Sequence, residues 1–457
     1  MSEKRLEFTE HDEAGNVTAT YVSSPENSEG MSRVDVILPE KTKSVGQRLL
    51  DVFLPVGYPH SVTNDYLEYQ IYDSLQAFSS SIAGLLSSRA VLSSVGVGDS
   101  SASPTAALLL SILQESAGRI ATILFAHRFG TSLEPECKMY RLLADVLNDF
   151  AFVLDCLSPA FPKPLRIVVL SFSSVLRALC GVAAGSAKAS LSAHFARWGN
   201  LGELNAKDSS QETVISLMGM LAGSIVVSWV TSQTATWAAL ILLLSIHLET
   251  NRRAVRSVSM RTLNRQRATL VYHQLRQGIV PKPEDVSSRE RIFEKDGILR
   301  GAQGETIGWC SFQSSVKPLF ECQKLNEHSK TGSFSVEGQF LAKLMKAFEQ
   351  ERYIINIVPI HDESRCRFAV FLKQGATTLD CVSAWWRCLA VAEAAKATGG
   401  NTASDGVSSS DRHLMLLRDT TVREMQERYI GDLKAAGWDL EGNALETRSS
   451  MRMSTSG

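Results

Sequence analysis

Charged and amide side chains stand at helical spacing in a part of the chain that is otherwise apolar. Arg141, Asp145 and Asp149 follow one another at intervals of four residues, so one face of a single helix would carry a cation and two carboxylates, and Asn148 adjoins that face. In a soluble helical bundle such a face is an ordinary solvated stripe. In a helix that crosses a membrane, the same residues would form an internal polar network or a path for a proton or a substrate.

Other polar residues of the same region raise the same question, because a charge that faces hydrocarbon is costly. The remaining candidates for an internal network or a ligand contact are Glu68, Asp73, Asp99, Arg119, Lys207, Gln211 and Glu212. If their helices cross a membrane, we expect a set of side chains to face the interior of the bundle, a water-filled cavity or a partner: Glu68, Asp73, Gln114, Glu115, Arg119, Asp145, Asp149, Asp155 and Arg177.

Two groups of these candidates have a structural alternative. Asp99 follows Gly96 and Gly98, which is typical of a tight turn that ends in a polar helix cap; a phosphate-binding loop also uses glycines, but its spacing and its lysine are absent. Residues 207–212 stand at the start of a predicted helix, where Asp208 or Ser209 would cap it and Glu212 would complement its positive end. Capping and ligand contact are both open there.

No nucleophile with a base, metal-ligand spacing or cofactor loop stands out in the sequence. We therefore expect no enzymatic activity, no catalytic residues and no metal site, and any cofactor is unknown. The eight cysteines form no C-x-x-C pair and are typical of small buried hydrophobes. A net charge of -1 argues against a general nucleic-acid-binding protein.

Six long apolar segments would position the polar residues. Their periodicity predicts helices over 66–92, 104–126, 138–157, 165–187, 211–230 and 235–249, of which the last two are the most apolar. Each has about the length that crosses a hydrocarbon core, roughly 20 residues. Residues 213–248 contain no Asp, Glu, Lys or Arg, whereas the next 28 contain seven arginines. This boundary is typical of an apolar segment that leaves a membrane towards an anionic surface.

The charges of the loops divide the six segments into two sides. The basic residues of one side are Arg128, Lys138, Arg141, Lys188, Arg197, Lys207 and the arginines after residue 251. The opposite loops, 93–103, 158–164 and 231–234, contain only Lys163. Because short cytosolic loops carry the excess of Lys and Arg, we predict a multi-pass protein with both ends cytosolic and membrane lipid as a partner. A soluble bundle with a buried hairpin at 213–248 is the alternative.

Small residues indicate where helices pack closely. Gly181-x-x-x-Gly185 and Gly219-x-x-x-Gly223 each place two glycines on one helical face. Such pairs let the backbones of neighbouring helices approach, which matters most in a membrane, where no hydrophobic force drives helices together. We therefore predict helix contacts at both pairs.

The flanking segments have a different composition. Residues 1–46 are acidic and are predicted to be disordered, without the composition of a secretory signal or a presequence, and 277–290 are predicted to be a linker. Beyond it, 291–440 are predicted to form an α+β domain, with helices at 340–351 and 378–395, strands at 352–358 and 367–372, and a last helix from Thr421 to about Gly437. Residues 398–411 are predicted to be a mobile loop and 441–457 a disordered tail. The expected fold is mainly α, with a six-helix, membrane-embedded bundle over 47–276 before the α+β domain.

Several blocks, in order, resemble the root UV-B sensitive (RUS) family. They are Phe53-Leu-Pro-Val-Gly-Tyr-Pro and its continuation to Gln76, Val95-Gly-Val-Gly-Asp99, Gly118-Arg-Ile, Arg141-Leu-Leu-Ala-Asp-Val-Leu-Asn-Asp149, Gly199-Asn-Leu-Gly-Glu203, the stretch from Ala206 to Thr213, and Arg261-Thr-Leu-Asn-Arg-Gln-Arg267. The resemblance covers about residues 50 to 270. It implies a role in vitamin B6 homeostasis and UV-B or stress responses, and work as a homo- or hetero-oligomer with a RUS-family protein. The family's molecular activity is unsettled, so no catalytic residue is carried over.

A shorter stretch, Gly118 to Gly130, is similar to the loop between the second and third helices of major facilitator transporters, with His127 in place of the usual acidic residue. The similarity suggests a transporter-like function, in which a dimer of six-helix halves would be the functional unit. A soluble or peripheral helical interaction protein, working as a homo- or hetero-dimer, is the alternative function. Retention in the membrane after alkaline washing would discriminate between the two.

Overall fold

The computed structural model describes residues 6–11, 17–23, 34–37, 53–94, 96, 103–197, 199–321, 324–327, 333–336, 338–358, 365–397, 421–448 and 451–454. The chain forms two compact units that alternate along the sequence. The first unit consists of residues 1–117, 145–177 and 188–258, and the second of residues 118–144, 178–187 and 259–457.

All six predicted long helices are present. They are α1 (Tyr66–Ser94), α2 (Pro104–Phe129), α3 (Cys137–Leu157), α4 (Lys163–Phe195), α5 (Leu201–Trp229) and α6 (Gln233–Ser257). The fifth helix begins at Leu201 rather than at Gln211, because its polar first turns bury Leu204 and Asp208. Asp208, Ser209 and Glu212 therefore lie inside the helix, and the predictions that Asp208 or Ser209 caps it and that Glu212 complements its positive end are wrong. Residues 118–129 belong to α2, so the similarity to a transporter loop does not extend to the conformation.

Helix α1 packs against both α5 and α6 in the first unit. Gly219 and Gly223 of α5 face α1 so closely that a Cβ at Gly219 would lie 2.6 Å from the Cβ of Ser81, and one at Gly223 would lie 2.7 Å from Cδ1 of Leu85. The predicted contact at this pair is confirmed. At Gly181 and Gly185 a Cβ would meet no atom within 4 Å among the described residues, so the contact predicted there is not confirmed.

Among the described residues, three helical segments are long and apolar enough to cross a membrane. They are Thr105–Ser132, Lys163–Phe195 and Leu201–Trp229, with mean hydropathies of 1.4, 2.0 and 1.5. Only 6%, 22% and 11% of their most apolar windows are buried. Helix α6, predicted to be one of the two most apolar, is not among the three. His247, Glu249 and Asn251 lower the hydropathy of its second half.

The second unit has the α+β architecture that the sequence predicts. Its helices are α7 (Arg265–Arg276), α8 (Pro283–Arg289), α9 (Lys317–Glu321), α10 (Gly338–Ala347), α11 (Thr378–Ala397) and α12 (Thr421–Ala435). Its strands are β4 (Ile298–Arg300), β5 (Thr306–Phe312), β6 (Lys324–Glu327), β7 (Phe334–Val336), β8 (Tyr353–Val358), β9 (Cys366–Lys373) and β10 (Arg452–Met453). Strand β9 pairs antiparallel with β8 and parallel with β5 and β10, while β4 pairs antiparallel with β5.

Helix α11 packs on this sheet and joins it to α7. Trp385 and Trp386 are fully buried between them. The indole of Trp385 donates a hydrogen bond to Oγ1 of Thr269 at 2.9 Å, and that of Trp386 donates to the carbonyl of Ala268 at 2.8 Å. The paired tryptophans are thus core residues whose N–H groups are satisfied inside the unit.

Three segments that were expected to be unstructured contain ordered elements. In the acidic amino-terminal segment, strands β1 (Leu6–His11), β2 (Val17–Ser23) and β3 (Val34–Ile37) form an antiparallel sheet, since short runs of Val, Thr, Tyr and Ile favour strands even in an acidic segment. In the expected linker, Val286 is fully buried. In the expected tail, Leu445 is fully buried and β10 pairs with β9. The predicted mobile loop at 398–411 lies outside the described residues.

A buried ionic cluster ties α3 to the segment after α8. Lys138 Nζ lies 2.6 Å from Glu290 Oε2, and Arg267 Nη1 lies 2.6 Å from Glu290 Oε1. All three side chains are buried. Burial alone would raise the pKa of Glu290, but Lys138 and Arg267 hold the pKa of this carboxyl below its usual value of 4.5.

Replacing Glu290 with Gln is expected to lower the free energy of unfolding by about 3 to 5 kcal/mol near pH 7, since two buried cations lose their anion. The carboxylate stabilises the fold above its unfolded pKa of 4.5, and this contribution is lost as the pH falls through the lower folded value. The variant and the parent should therefore converge in acid. Urea unfolding of the full chain, followed by tryptophan fluorescence, measures the difference. Glu427→Gln, at the exposed partner of Arg423, is the control and should change little.

Candidate functional site

His247 stands at the centre of a buried polar network in the first unit. Its Nδ1 lies 2.6 Å from Oδ1 of Asp149, and its Nε2 lies 2.7 Å from Oε1 of Gln76 and 3.3 Å from Oδ2 of Asp145. The imidazole is only 1% exposed. Both ring nitrogens thus face acceptor oxygens, an arrangement that a doubly protonated imidazole satisfies completely.

The network continues in two directions from the histidine. The Nε2 of Gln76 donates to Oδ1 of Asp73 at 3.3 Å, which orients the amide oxygen of Gln76 towards His247. One turn beyond His247, the side-chain amide of Asn251 donates to Oδ2 of Asp145. We call Asp73, Gln76, Asp145, Asp149, His247 and Asn251 the His247 network.

Three helices supply the network, each through residues that share one face. Asp73 and Gln76 are three residues apart on α1, Asp145 and Asp149 four apart on α3, and His247 and Asn251 four apart on α6. All six residues are at least nine-tenths buried. Oδ2 of Asp149 has no hydrogen-bond partner among the residues that the structure describes. The network therefore keeps a buried acceptor that can take a proton or a ligand donor.

The structure brings together three of the residues predicted from the sequence, Asp73, Asp145 and Asp149. Asn148 lies outside the network, and its Nδ2 donates a hydrogen bond to Oγ of Ser80 at 3.4 Å. Glu68 and Arg119 are exposed, and Arg141 is buried in the second unit. Asp99 lies outside the described residues.

The remaining predicted residues lie near a second ionic contact of the first unit. Lys188 of α4 binds Asp208 at 2.8 Å and Glu212 at 2.6 Å, and Gln70 donates to Asp208 at 3.0 Å. Gln211 donates to the carbonyl of Phe53 at 2.6 Å, and Lys207 is half-buried. This cluster connects α1, α4 and α5. Its side chains bind one another, which is typical of contacts that stabilise a fold rather than of a ligand-binding site.

Sequence reasoning missed His247, Gln76 and Asn251 in the network, and Lys188 in the second cluster. A signal for His247 and Asn251 was present, because they are the only His, Asn or Gln residues between Ala235 and Asn251 and they share a helical face. Neither residue is Asp, Glu, Lys or Arg, so the segment 213–248 and the turn after it have few formal charges despite these polar side chains. Gln76 and Lys188 had no comparable signal, since their partners come from distant parts of the chain.

Comparison with known proteins supports the resemblance of the sequence blocks. Residues 39–278 match the family model described as the vitamin B6 photo-protection and homoeostasis domain. RUS family member 1 of Dictyostelium discoideum is 39% identical over 303 residues, which cover 64% of this chain and 57% of that protein. Protein root UVB sensitive 3 of Arabidopsis thaliana is 38% identical over 251 residues, which cover 54% of this chain and 57% of that protein.

A more distant relative is matched over a larger share of its length. The chloroplastic protein root UVB sensitive 2 of Arabidopsis thaliana is 27% identical over 355 residues, which cover 73% of this chain and 80% of that protein. The matches to the two more similar relatives span little more than half of their lengths. No solved structure matches the chain. Since the family model covers more than half of the 457 residues, including the three helices that carry the His247 network, the chain belongs to the RUS family.

Proposed function

We propose that this chain is a membrane-embedded RUS protein with a transporter-like role in vitamin B6 homeostasis and in the response to UV-B. In this proposal α1 to α6 cross the membrane and both ends of the bundle are cytosolic. The His247 network lines the path along which a proton or a small polar solute moves through the bundle. The observation that carries the proposal is the distribution of polarity, with apolar side chains outside and carboxylates inside.

Large apolar residues are exposed on all six long helices, and most of them lie on α2, α4, α5 and α6. On these four helices the exposed set, between 41% and 83% accessible, includes Leu108, Leu109, Ile112, Leu113, Ile120, Ile123 and Leu124 of α2, Leu165, Ile167, Val168 and Phe172 of α4, Leu217, Met218, Met220, Leu221, Ile225 and Trp229 of α5, and Ile241, Leu242 and Ile246 of α6. Water-soluble proteins rarely leave contiguous apolar surfaces of this kind uncovered. Lipid is the covering that suits long helices of this composition.

Several ionisable residues of the first unit are buried, whereas Glu68 and Glu115 are exposed. Besides the His247 network, Asp155 is only 1% exposed, accepts a hydrogen bond from Ser87 Oγ at 2.7 Å and pairs with Arg177. Carboxylates inside a membrane domain are costly and are held where they have partners or a task. The contrast between an apolar exterior and a polar interior supports a helical bundle that is surrounded by lipid.

The chemistry of the His247 network suits the movement of a proton or of a small polar solute. A histidine between two carboxylates can exchange a proton with either, and chains of Asp and His are typical of proton relays in transporters. The proposal contains no enzymatic step, metal or nucleic acid. We further propose that the working form is a homo- or hetero-dimer with a RUS-family protein, because a six-helix unit corresponds to half of a common transporter architecture.

The membrane part of the proposal predicts the result of a fractionation. The full chain should stay in the pellet after washing membranes with alkaline carbonate, and tags at either end should be accessible to protease without permeabilisation of vesicles whose cytosolic face is outward. A known peripheral protein in the same sample is the control for the wash. Release of the chain into the supernatant would instead favour the soluble or peripheral interaction protein.

A further inference from the structure

The second unit contains a cavity of about 610 Å³ that the proposed path does not use. It is lined by the segment 128–140, by α7, by residues 289–304 and by Thr447 and Arg448, all of which belong to this unit. Cavities of some 300 to 1,000 Å³ are typical of small-molecule sites. The volume is therefore enough for one compact ligand.

The cavity has a strong excess of positive charge. Its lining includes three carboxylates, Glu136, Glu294 and Asp296, and seven cationic side chains, Arg128, Arg265, Arg289, Arg291, Arg300, Arg448 and Lys295. Arg265 pairs with Asp296, Arg300 binds Glu294 at 2.7 Å, and Arg291 lies 3.9 Å from Glu294. Within the described part of the chain, Arg128, Arg289, Lys295 and Arg448 have no carboxylate partner. These four side chains, which we call the basic rim, are exposed.

The buried wall of the cavity adds a polar group without a partner. Gln274 is 8% exposed, and its side-chain Nε2 makes no hydrogen bond to any residue that the structure describes. Beside it the wall is apolar, with Leu270, Phe129 and Ile298. A ligand that carries an acceptor and a less polar body would satisfy both features.

We propose that this cavity binds a small molecule that carries a phosphate monoester, with the phosphate at the basic rim and the rest of the ligand against the apolar wall. Guanidinium groups bind phosphate through paired, charge-assisted hydrogen bonds, and they are abundant here while carboxylates are few. A phosphate monoester can come from a soluble metabolite or from the headgroup of a phospholipid. The site lies within the second unit, so it is independent of the proposed membrane path.

The test uses the purified full chain in detergent and a matched pair of probes. Pyridoxine 5′-phosphate and pyridoxine differ only by the phosphate, and the family description names vitamin B6. We expect saturable binding of the phosphorylated probe by calorimetry, competition by inorganic phosphate, and at least tenfold weaker binding of pyridoxine. Vesicles that contain phosphatidic acid, compared with vesicles of phosphatidylcholine alone, test the lipid source.

A double variant of the rim connects the binding to the cavity. Arg289→Ala with Arg448→Ala should weaken the binding at least tenfold, because it removes two of the four unpaired cations. Both side chains are exposed, so the fold should survive. Arg423→Ala with Arg428→Ala, on the exposed surface of α12, removes the same charge elsewhere in the unit and should leave the affinity unchanged.

The outcomes distinguish a soluble phosphate ester from a phospholipid headgroup, and they also show whether the proposal is wrong. Rim-dependent binding of pyridoxine 5′-phosphate assigns the cavity to a soluble phosphate ester. Rim-dependent binding to phosphatidic acid vesicles alone assigns it to a lipid headgroup. The proposal is overturned if the rim variant and the control variant lose the same affinity for the phosphorylated probe, or if no probe binds in a phosphate-dependent way. The carbonate wash tests the membrane proposal separately, so its result does not change this conclusion.

Discussion

Replacing Asp145 and Asp149 together with Asn should abolish the ability of this chain to complement cells that lack the protein, while leaving it in the membrane. Asparagine has the shape of aspartate, but it carries no charge and does not exchange protons near neutral pH. His247, 2.6 Å from Asp149 and 3.3 Å from Asp145, would then lose both of its anionic neighbours. A path that depends on proton exchange would be interrupted.

Complementation, measured at equal amounts of membrane-inserted protein, reads out the effect. Asn148→Ala is the matched control, because Asn148 lies on the same helix but contacts Ser80 rather than His247. That control should retain activity. Full complementation by the Asp145→Asn, Asp149→Asn variant would show that the two carboxylates are not needed for the function. A loss of membrane-inserted protein would show instead that they maintain the fold.

Replacing Gly219 with Leu should prevent the first unit from packing. A Cβ at this position would lie 2.6 Å from the Cβ of Ser81 and 3.0 Å from the carbonyl oxygen of Phe78. The carbonyl belongs to the backbone of α1, so a side-chain rotation cannot relieve the clash. Insertion of even a few atoms into a packed core costs about 1 to 3 kcal/mol, and a leucine adds four carbons. We expect loss of the monodisperse protein after extraction in detergent.

The chain provides its own control for this experiment. Gly181 has the same small-residue spacing to Gly185, but a Cβ at Gly181 would meet no atom within 4 Å in the described structure. Gly181→Leu should therefore give a size-exclusion profile and a thermal midpoint close to those of the parent. Similar behaviour of the two leucine variants would contradict the close approach of α1 and α5.

The extent of the long helices was predictable because it depends on local properties. Apolar residues recur at helical spacing and few prolines or glycines interrupt them, so the bounds of α1, α2 and α3 were predicted to within three residues. Helices α4 and α6 extend eight residues beyond their predicted ends, to Phe195 and Ser257, although their starts were located to within two residues. The start of α5 was not, because residues 201–210 are polar and become helical only where Leu204 and Asp208 are buried by other segments.

The prediction of a linker at 277–290 was wrong for the same reason, because its structure depends on burial by distant segments. Its prolines and acids are typical of a loop, but Val286 is buried in the core and Pro281 accepts a hydrogen bond from Trp438 at 2.8 Å.

The cavity of the second unit was not predictable from the sequence. Four of its cationic residues lie within 289–300, but Arg128, Arg265 and Arg448 come from distant parts of the chain. The arginines after residue 251 form a basic cluster in the sequence, a pattern that is typical of a charged segment at a membrane surface. In the structure, Arg265 and Arg267 of that cluster are buried and bind carboxylates inside the second unit.

The sequence by itself determined the family, the six long helices and the pairs of polar residues that share a helical face. It placed Asp145 with Asp149 because residues four apart on a helix lie on the same side. Only the tertiary structure decided that His247 of α6 and Gln76 of α1 meet these carboxylates. The reason is that helical periodicity defines which residues point the same way, whereas the choice of the facing helix depends on packing between distant segments, here on the buried contact of Ala83 of α1, Phe152 of α3 and Leu240 of α6.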